Sequence, residues 1–259
     1  MDKFYYHVLH NMESILESLA KRVSPPQRAP ILDCFVFRYS EKSINQAIVQ
    51  KLARVISGLY ATHILLEHGF IQEQAALQRM LGEFQEDVTF LAFAVTFNDV
   101  TDLHRKYLNA FYEEEFDKPE DPVSSTQKRL MVPRDKIRSY IDRIECGSLN
   151  LNTGVVVTRT IGKTYSGYVH GASPQTMEMY GENPPKFHVA GWLGSPLYLD
   201  HKDDLWNYFY RGICVFGFAA KAFGDDALSS SIQCLSDEFV RQSGRQNDIG
   251  QMARPSHAF

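Results

Sequence analysis

"FIQEQAALQRMLGEFQEDVTFLAFAVTF", residues 70–97, is the stretch whose reading decides the fold. Wound as an α-helix at 100° per residue, it sets Leu77, Met80, Leu81, Phe84, Val88, Leu91 and Val95 on one apolar stripe, as a core-facing helix should. The opposite side carries Arg79, Glu83 and Glu86 in its early turns and Phe90, Phe93 and Phe97 in its last ones. A solvated face does not end in three phenylalanines. The spacing therefore predicts a central helix packed on both sides, with Arg79 and Glu83 in a partly buried polar layer. Buried charges need partners, and the i, i+4 spacing lets these two pair within the helix.

The same period runs outward through the chain. Residues 3–22 form an amphipathic helix that the prolines of "SPPQRAP" stop. "ILDCFVFRYS" reads as a short strand or a helical turn, with nothing to decide between them. Ser43 is placed to N-cap a helix that runs to about Glu67, where His68 and Gly69 end it. "NDVTD" separates the central helix from another at 101–115, and after the polar loop "FDKPEDPVSSTQKRLMVP" Pro133 opens a further one. Helices are also expected at about 151–170, 201–223 and 225–243.

Between 171 and 200 the helical pattern lapses, and ordered loops of that length are often functional. This segment is expected to form a lid or insertion over the site, with "KFHVAGW" as its strand-like part. The expected fold is an all-α bundle of seven to eight helices in one domain, residues 1–245, with its core at about 43–240 and a loose tail at 246–259.

Composition excludes several classes. With 259 residues, 44% hydrophobic and 22% charged, the chain has the balance of an ordinary globular protein. A net charge of −4 gives no global pull towards nucleic acid. Cys34, Cys146, Cys214 and Cys234 form no CxxC pair, which argues against a zinc ribbon or a disulfide framework and suits a reducing compartment. The N-terminal stretch is too charged for a signal peptide, and no run of about 18 apolar residues offers a membrane span. The expected location is the cytoplasm, away from membranes.

A second stretch, "TYSGYVHGAS" at residues 164–173, ends the helix expected at 151–170. Leu151, Val155, Thr158, Ile161, Tyr165 and Val169 share its broad apolar face. Arg159, Lys163, Ser166 and His170 share another, at i, i+4, i+7 and i+11. Two cations, a hydroxyl and an imidazole in one row suit an anion such as a phosphate, or the carboxylates of Glu83 and Glu86 on the central helix. The plainer readings are that Arg159 and Lys163 are solvated, that Arg79 and Glu83 are a structural pair, and that His170 caps the helix before Gly171. No metal site is expected: no histidine follows a glutamate at the ferritin-like spacing, and HExxH is missing, as are GxSxG and the P-loop. No cofactor is expected either.

"LQRMLGE", with Leu77, Arg79 and Glu83, and "YSGYVHGAS", with Tyr165, Ser166, Val169 and His170, occur in an order and spacing that resemble a bacterial family of uncharacterised all-helical proteins. Its members carry Leu-x-Arg-x-x-x-Glu on one helix and Tyr-x-x-Ser-x-x-Val-His, or close variants, on a later one. "YLNAFYEEEF" and "VPRDKIRSYI" are similar to it as well, so the resemblance spans about residues 45–240. That family resembles, distantly, the HEPN helical bundles. Many of these are metal-independent ribonucleases of toxin or phage-defence systems, and others only bind nucleotides.

The nuclease members carry an arginine, four to six intervening residues and then a histidine, whereas here Lys163, six intervening residues before His170, stands in the arginine's place. The resemblance implies two readings. In the first, the chain is a binding or regulatory module whose site takes a nucleotide or another phosphate-bearing ligand through Arg79, Glu83, Arg159, Lys163, Tyr165, Ser166 and His170. In the second, it is a ribonuclease in which His170 works as acid or base and Lys163 or Arg159 stabilises the phosphorane, with RNA as partner. A structural interaction protein, for instance a homodimer, is the third reading.

Overall fold

The computed structural model describes residues 2–146, 160 and 162–246. Its helices are α1 (Asp2–Ala20), α2 (Ile44–Glu67), α3 (Ile71–Thr96), α4 (Asp102–Tyr112), α5 (Arg134–Cys146), α6 (162–169), α7 (Ser173–Met177), α8 (Tyr198–Ala222) and α9 (Asp226–Ser243). Two small antiparallel hairpins interrupt them, β1 (Gln27–Ile31) with β2 (Cys34–Arg38), and β3 (Tyr180–Glu182) with β4 (Pro185–Phe187). The fold is an all-α multi-helix bundle. "ILDCFVFRYS", ambiguous by its pattern, supplies the second strand of the first hairpin. Its alternation of exposed aromatics, Phe35 and Phe37, has no core to face. The tail expected at 246–259 lies outside the described residues from 247 onward.

α3 is the central helix that its two faces predict. It packs against α2, α8 and α5, and every residue from 85 to 94 is buried. Phe90 and Phe93 take part in that packing, but Phe97, one residue past the helix, is 56% exposed, because the two-sided packing ends with the last turn. Close approach of the neighbours depends on two glycines. A Cβ on Gly58 of α2 would fall 2.5 Å from Leu81 Cδ2, and one on Gly212 of α8 would fall 3.0 Å from Leu59 Cδ1. Fully buried Leu59, Leu81, Phe90, Phe209 and Phe216 each contribute about 1.5–3 kcal/mol by leaving water.

Ends are capped where the chain's chemistry predicts. Ser43 Oγ accepts the Gln46 N–H and Gln46 Oε1 accepts the Ser43 N–H, both at 3.2 Å, which closes a capping box at α2. Gly69, with φ of 73°, turns the chain between α2 and α3.

The 171–200 segment contains α7 and the second hairpin, and of "KFHVAGW" only Lys186 and Phe187 lie in a strand. It docks on the α2–α3 turn. Trp192 donates its backbone N–H to the Gly69 carbonyl at 2.9 Å, and a Cβ on Gly191 would fall 2.1 Å from the His68 carbonyl oxygen. Glu178 strengthens the junction by accepting from Tyr168 of α6 at 2.9 Å and from Gln72 of α3 at 3.2 Å.

Candidate functional site

Four helices, α3, α5, α6 and α8, line a half-open cavity of about 460 Å³. α3 lines it with Arg79, Gln85, Glu86 and Thr89, α5 with Arg138, Asp142 and Glu145, α6 with Gly162 and Tyr165, and α8 with Tyr208, Arg211, Cys214 and Phe218. On α5 the spacing of Arg138, Asp142 and Glu145 puts all three on one face, and on α8 the same holds for Arg211, Cys214 and Phe218. Of these polar residues Gln85, Glu86, Arg138 and Asp142 are buried, Arg79 and Arg211 are half-buried, and Glu145 is exposed.

Arg138, only 7% exposed, donates through Nε to Glu86 Oε1 at 3.0 Å. Arg79 donates to Glu83 Oε1 at 2.5 Å, the i, i+4 pair that the sequence predicts. Both guanidinium groups converge on Gly162: a Cβ there would lie 3.6 Å from Arg138 Nη2 and 3.9 Å from the Arg79 guanidinium carbon. Arg211 takes no hydrogen bond or ion pair with any carboxylate among the described residues; its guanidinium carbon lies 5.3 Å from the centre of the Tyr208 ring. Burial pushes the Tyr208 phenol up to about 12, so it stays a neutral hydrogen-bond donor. Glu145 is pushed up by partial burial and then by the Asp142 carboxylate, which favours its neutral form.

Gln85 ties α3 to α8 by donating to the Tyr208 carbonyl at 2.9 Å, and Gln74 does the same to the His201 carbonyl at 3.1 Å. Gln85 Oε1 is buried in the cavity wall and accepts no hydrogen bond among the described residues.

Placement of the expected site residues is uneven. Arg79 and Tyr165 line the cavity, and Tyr165 donates its phenol to Asp204. Glu83 stands beside it, paired to Arg79. Lys163 and His170 are exposed, and neither they nor Ser166 line the cavity. Arg159 falls outside the described residues.

His170, one residue past α6, is its C-cap in a Schellman motif. Ala172 N–H reaches the Gly167 carbonyl at 2.9 Å, Gly171 N–H reaches that of Tyr168 at 3.5 Å, and Gly171 has φ of 59°. The capping reading of His170 describes its geometry.

Two expectations are corrected. Lys163 and His170 do not meet the central helix's acids, which α5 and α2 reach instead. Besides Arg138 on Glu86, Arg134 donates to Asp87 and to the Glu83 carbonyl, and Lys51 Nζ lies 2.7 Å from Asp87 Oδ2. The arginine fork can span two carboxylates and a carbonyl, which the single ammonium of an exposed lysine cannot do. Nor does the 171–200 segment cover the site: none of its residues is among those lining the cavity, because Trp192 and Gly191 anchor it to the α2–α3 turn.

Sequence reasoning passed over Arg134, Arg138, Asp142 and Glu145. Their i, i+4, i+8, i+11 row within "PRDKIRSYIDRIE" was the signal. Arg211 had none, since a lone arginine among aromatics on α8 is commonplace.

Among the described residues no group of three or more His, Cys, Asp or Glu side chains is placed to hold a metal ion. No helix there is long and apolar enough to cross a membrane. Comparison of the chain with protein-family models, with curated proteins and with solved structures gives no match.

Proposed function

We propose that the protein is a binding module whose interhelical cavity takes a small phosphate-bearing ligand, a nucleotide or another phosphate compound. The observation that carries this is Arg211, a partly buried cation without a carboxylate partner among the described residues, lining the same cavity as Arg79 and Arg138. A guanidinium fork is matched to phosphate oxygens and is held ready here by its stack on Tyr208. The volume, about 460 Å³, lies in the ordinary range for small-molecule sites.

The test is a thermal-shift series with inorganic phosphate and AMP on wild type and Arg211→Gln. Binding to the native state raises Tm as the ligand exceeds its Kd. Both compounds should raise the wild-type Tm, and Arg211→Gln should abolish the rise. If neither shifts wild type at millimolar concentration, the reading fails. A ribonuclease would need His170 and Lys163 in a cleft with a phosphate-binding group. Both lie exposed outside the cavity, and no observation favours that reading.

A further inference from the structure

A second space adjoins the arginine-lined cavity, and its chemistry is different. It is a groove of about 510 Å³ between the end of α3, α5, α8 and α9, walled chiefly by Phe93, Phe97, Ile144, Ile213, Phe218 and Ile232. Phe93 meets Phe97 and Phe218 edge to face, at 5.6 and 5.1 Å between ring centres, which makes a continuous aromatic wall. Gly217, which carries no side chain, keeps the α8 side of the groove open. Its lysine, Lys221, lies 3.5 Å from Asp226 and is thus occupied.

The two spaces share a wall. Glu145, Cys214 and Phe218 line both, and Cys214 and Phe218 are one turn apart on α8. One space therefore offers a guanidinium without a carboxylate partner among the described residues, and its neighbour offers an apolar channel with the ring of Phe97 left 56% exposed at its rim. A ligand that is polar throughout would leave that apolar surface in water. An apolar one would leave Arg211 without a counter-ion.

We infer that the ligand is amphipathic: an anionic phosphate head at Arg211 carrying an apolar chain that lies along the Phe93–Phe218 groove. The inference rests on the phosphate site proposed above and adds the class of the remaining part of the ligand. Each methylene taken from water into the groove adds to the affinity. The head fixes the orientation, and the chain supplies most of the strength.

Titration calorimetry with monomeric decyl phosphate, inorganic phosphate, AMP and decanol tests this. Decyl phosphate should bind at least about tenfold tighter than each of the other three, since burial of several methylenes outweighs the cost of ordering the chain. Gly217→Leu should remove that advantage and leave the affinity for inorganic phosphate unchanged. Phe97→Glu, at an exposed position outside α3, gives the same readout should Gly217→Leu fold poorly.

Binding of phosphate and AMP with less than tenfold gain from the chain overturns the inference and leaves the phosphate site standing. Decanol binding as tightly as decyl phosphate overturns the link between head and chain. Failure of every phosphate compound to bind removes the phosphate site itself.

Discussion

Arg211 lies with its guanidinium carbon 5.3 Å from the ring centre of Tyr208, three residues earlier on the same helix, and the Tyr208 backbone carbonyl accepts from Gln85 of α3. The ring both holds the cation over the cavity and sits at the tie between the two central helices. A cation–π contact of this kind contributes about 0.5–2 kcal/mol. Tyr208→Leu should therefore weaken phosphate binding by roughly threefold to tenfold, whereas Tyr208→Phe, which keeps the ring, should leave it within twofold. Calorimetry with inorganic phosphate separates the two. Equal losses in both variants would show that the phenol, not the ring, matters.

The acid that α2 and α5 share is Asp87, not Glu83. Asp87 is 4% exposed and receives Arg134 and Lys51, while Glu83 keeps about a third of its side chain in solvent. Removing one partner from a buried pair strands a charge and costs about 3–5 kcal/mol, while a half-open pair costs about 1 kcal/mol or less. Asp87→Asn should lower the urea-unfolding free energy by about 3 kcal/mol, and Glu83→Gln by about 1 kcal/mol. The reverse order would place the structural charge at Glu83, as the phase of α3 alone suggests.

His104 makes stability depend on pH. It is fully buried, stacks on Phe90 at 4.0 Å between ring centres, and accepts the Thr101 N–H through Nδ1 at 3.1 Å. Burial lowers its pKa from 6.5 to about 4. The folded state thus binds its proton less readily than the unfolded chain. The contribution is whole above pH 6.5 and is lost as the pH falls towards 4. Between pH 7 and pH 5 the protein should lose about 2 kcal/mol through this residue. His104→Gln should flatten that part of the pH profile in urea titrations. An unchanged slope would assign the loss to other groups.

At the end of α6, Gly171 carries the conformational demand and His170 does not. Nothing lies within 4 Å of a Cβ built on Gly171, so Gly171→Ala tests φ of 59° alone and should cost about 1 kcal/mol. His170→Ala should change stability by less than about 0.5 kcal/mol and leave the response to phosphate intact. Loss of a metal-independent RNA cleavage in His170→Ala would instead restore the catalytic reading of that residue.

Local pattern alone determined the helical character of this chain, the two-sided burial of α3, the capping box at Ser43, the stop at Gly69 and the Arg79–Glu83 pair. The caps and the pair depend on residues within about four positions of one another, and the burial of α3 on a period repeated along the helix, so that helix geometry sets who meets whom. Tertiary structure decided which neighbour faces each stripe. The phase of α6 put Lys163 and His170 on one side, but not what stood opposite, and the partners of Glu86 and Asp87 came from α5 and α2. The cavity itself joins Arg79, Arg138, Gly162 and Arg211, drawn from four helices across more than a hundred residues of chain. Their meeting follows from how α3 is packed between α5 and α8, and no single period in the sequence records it.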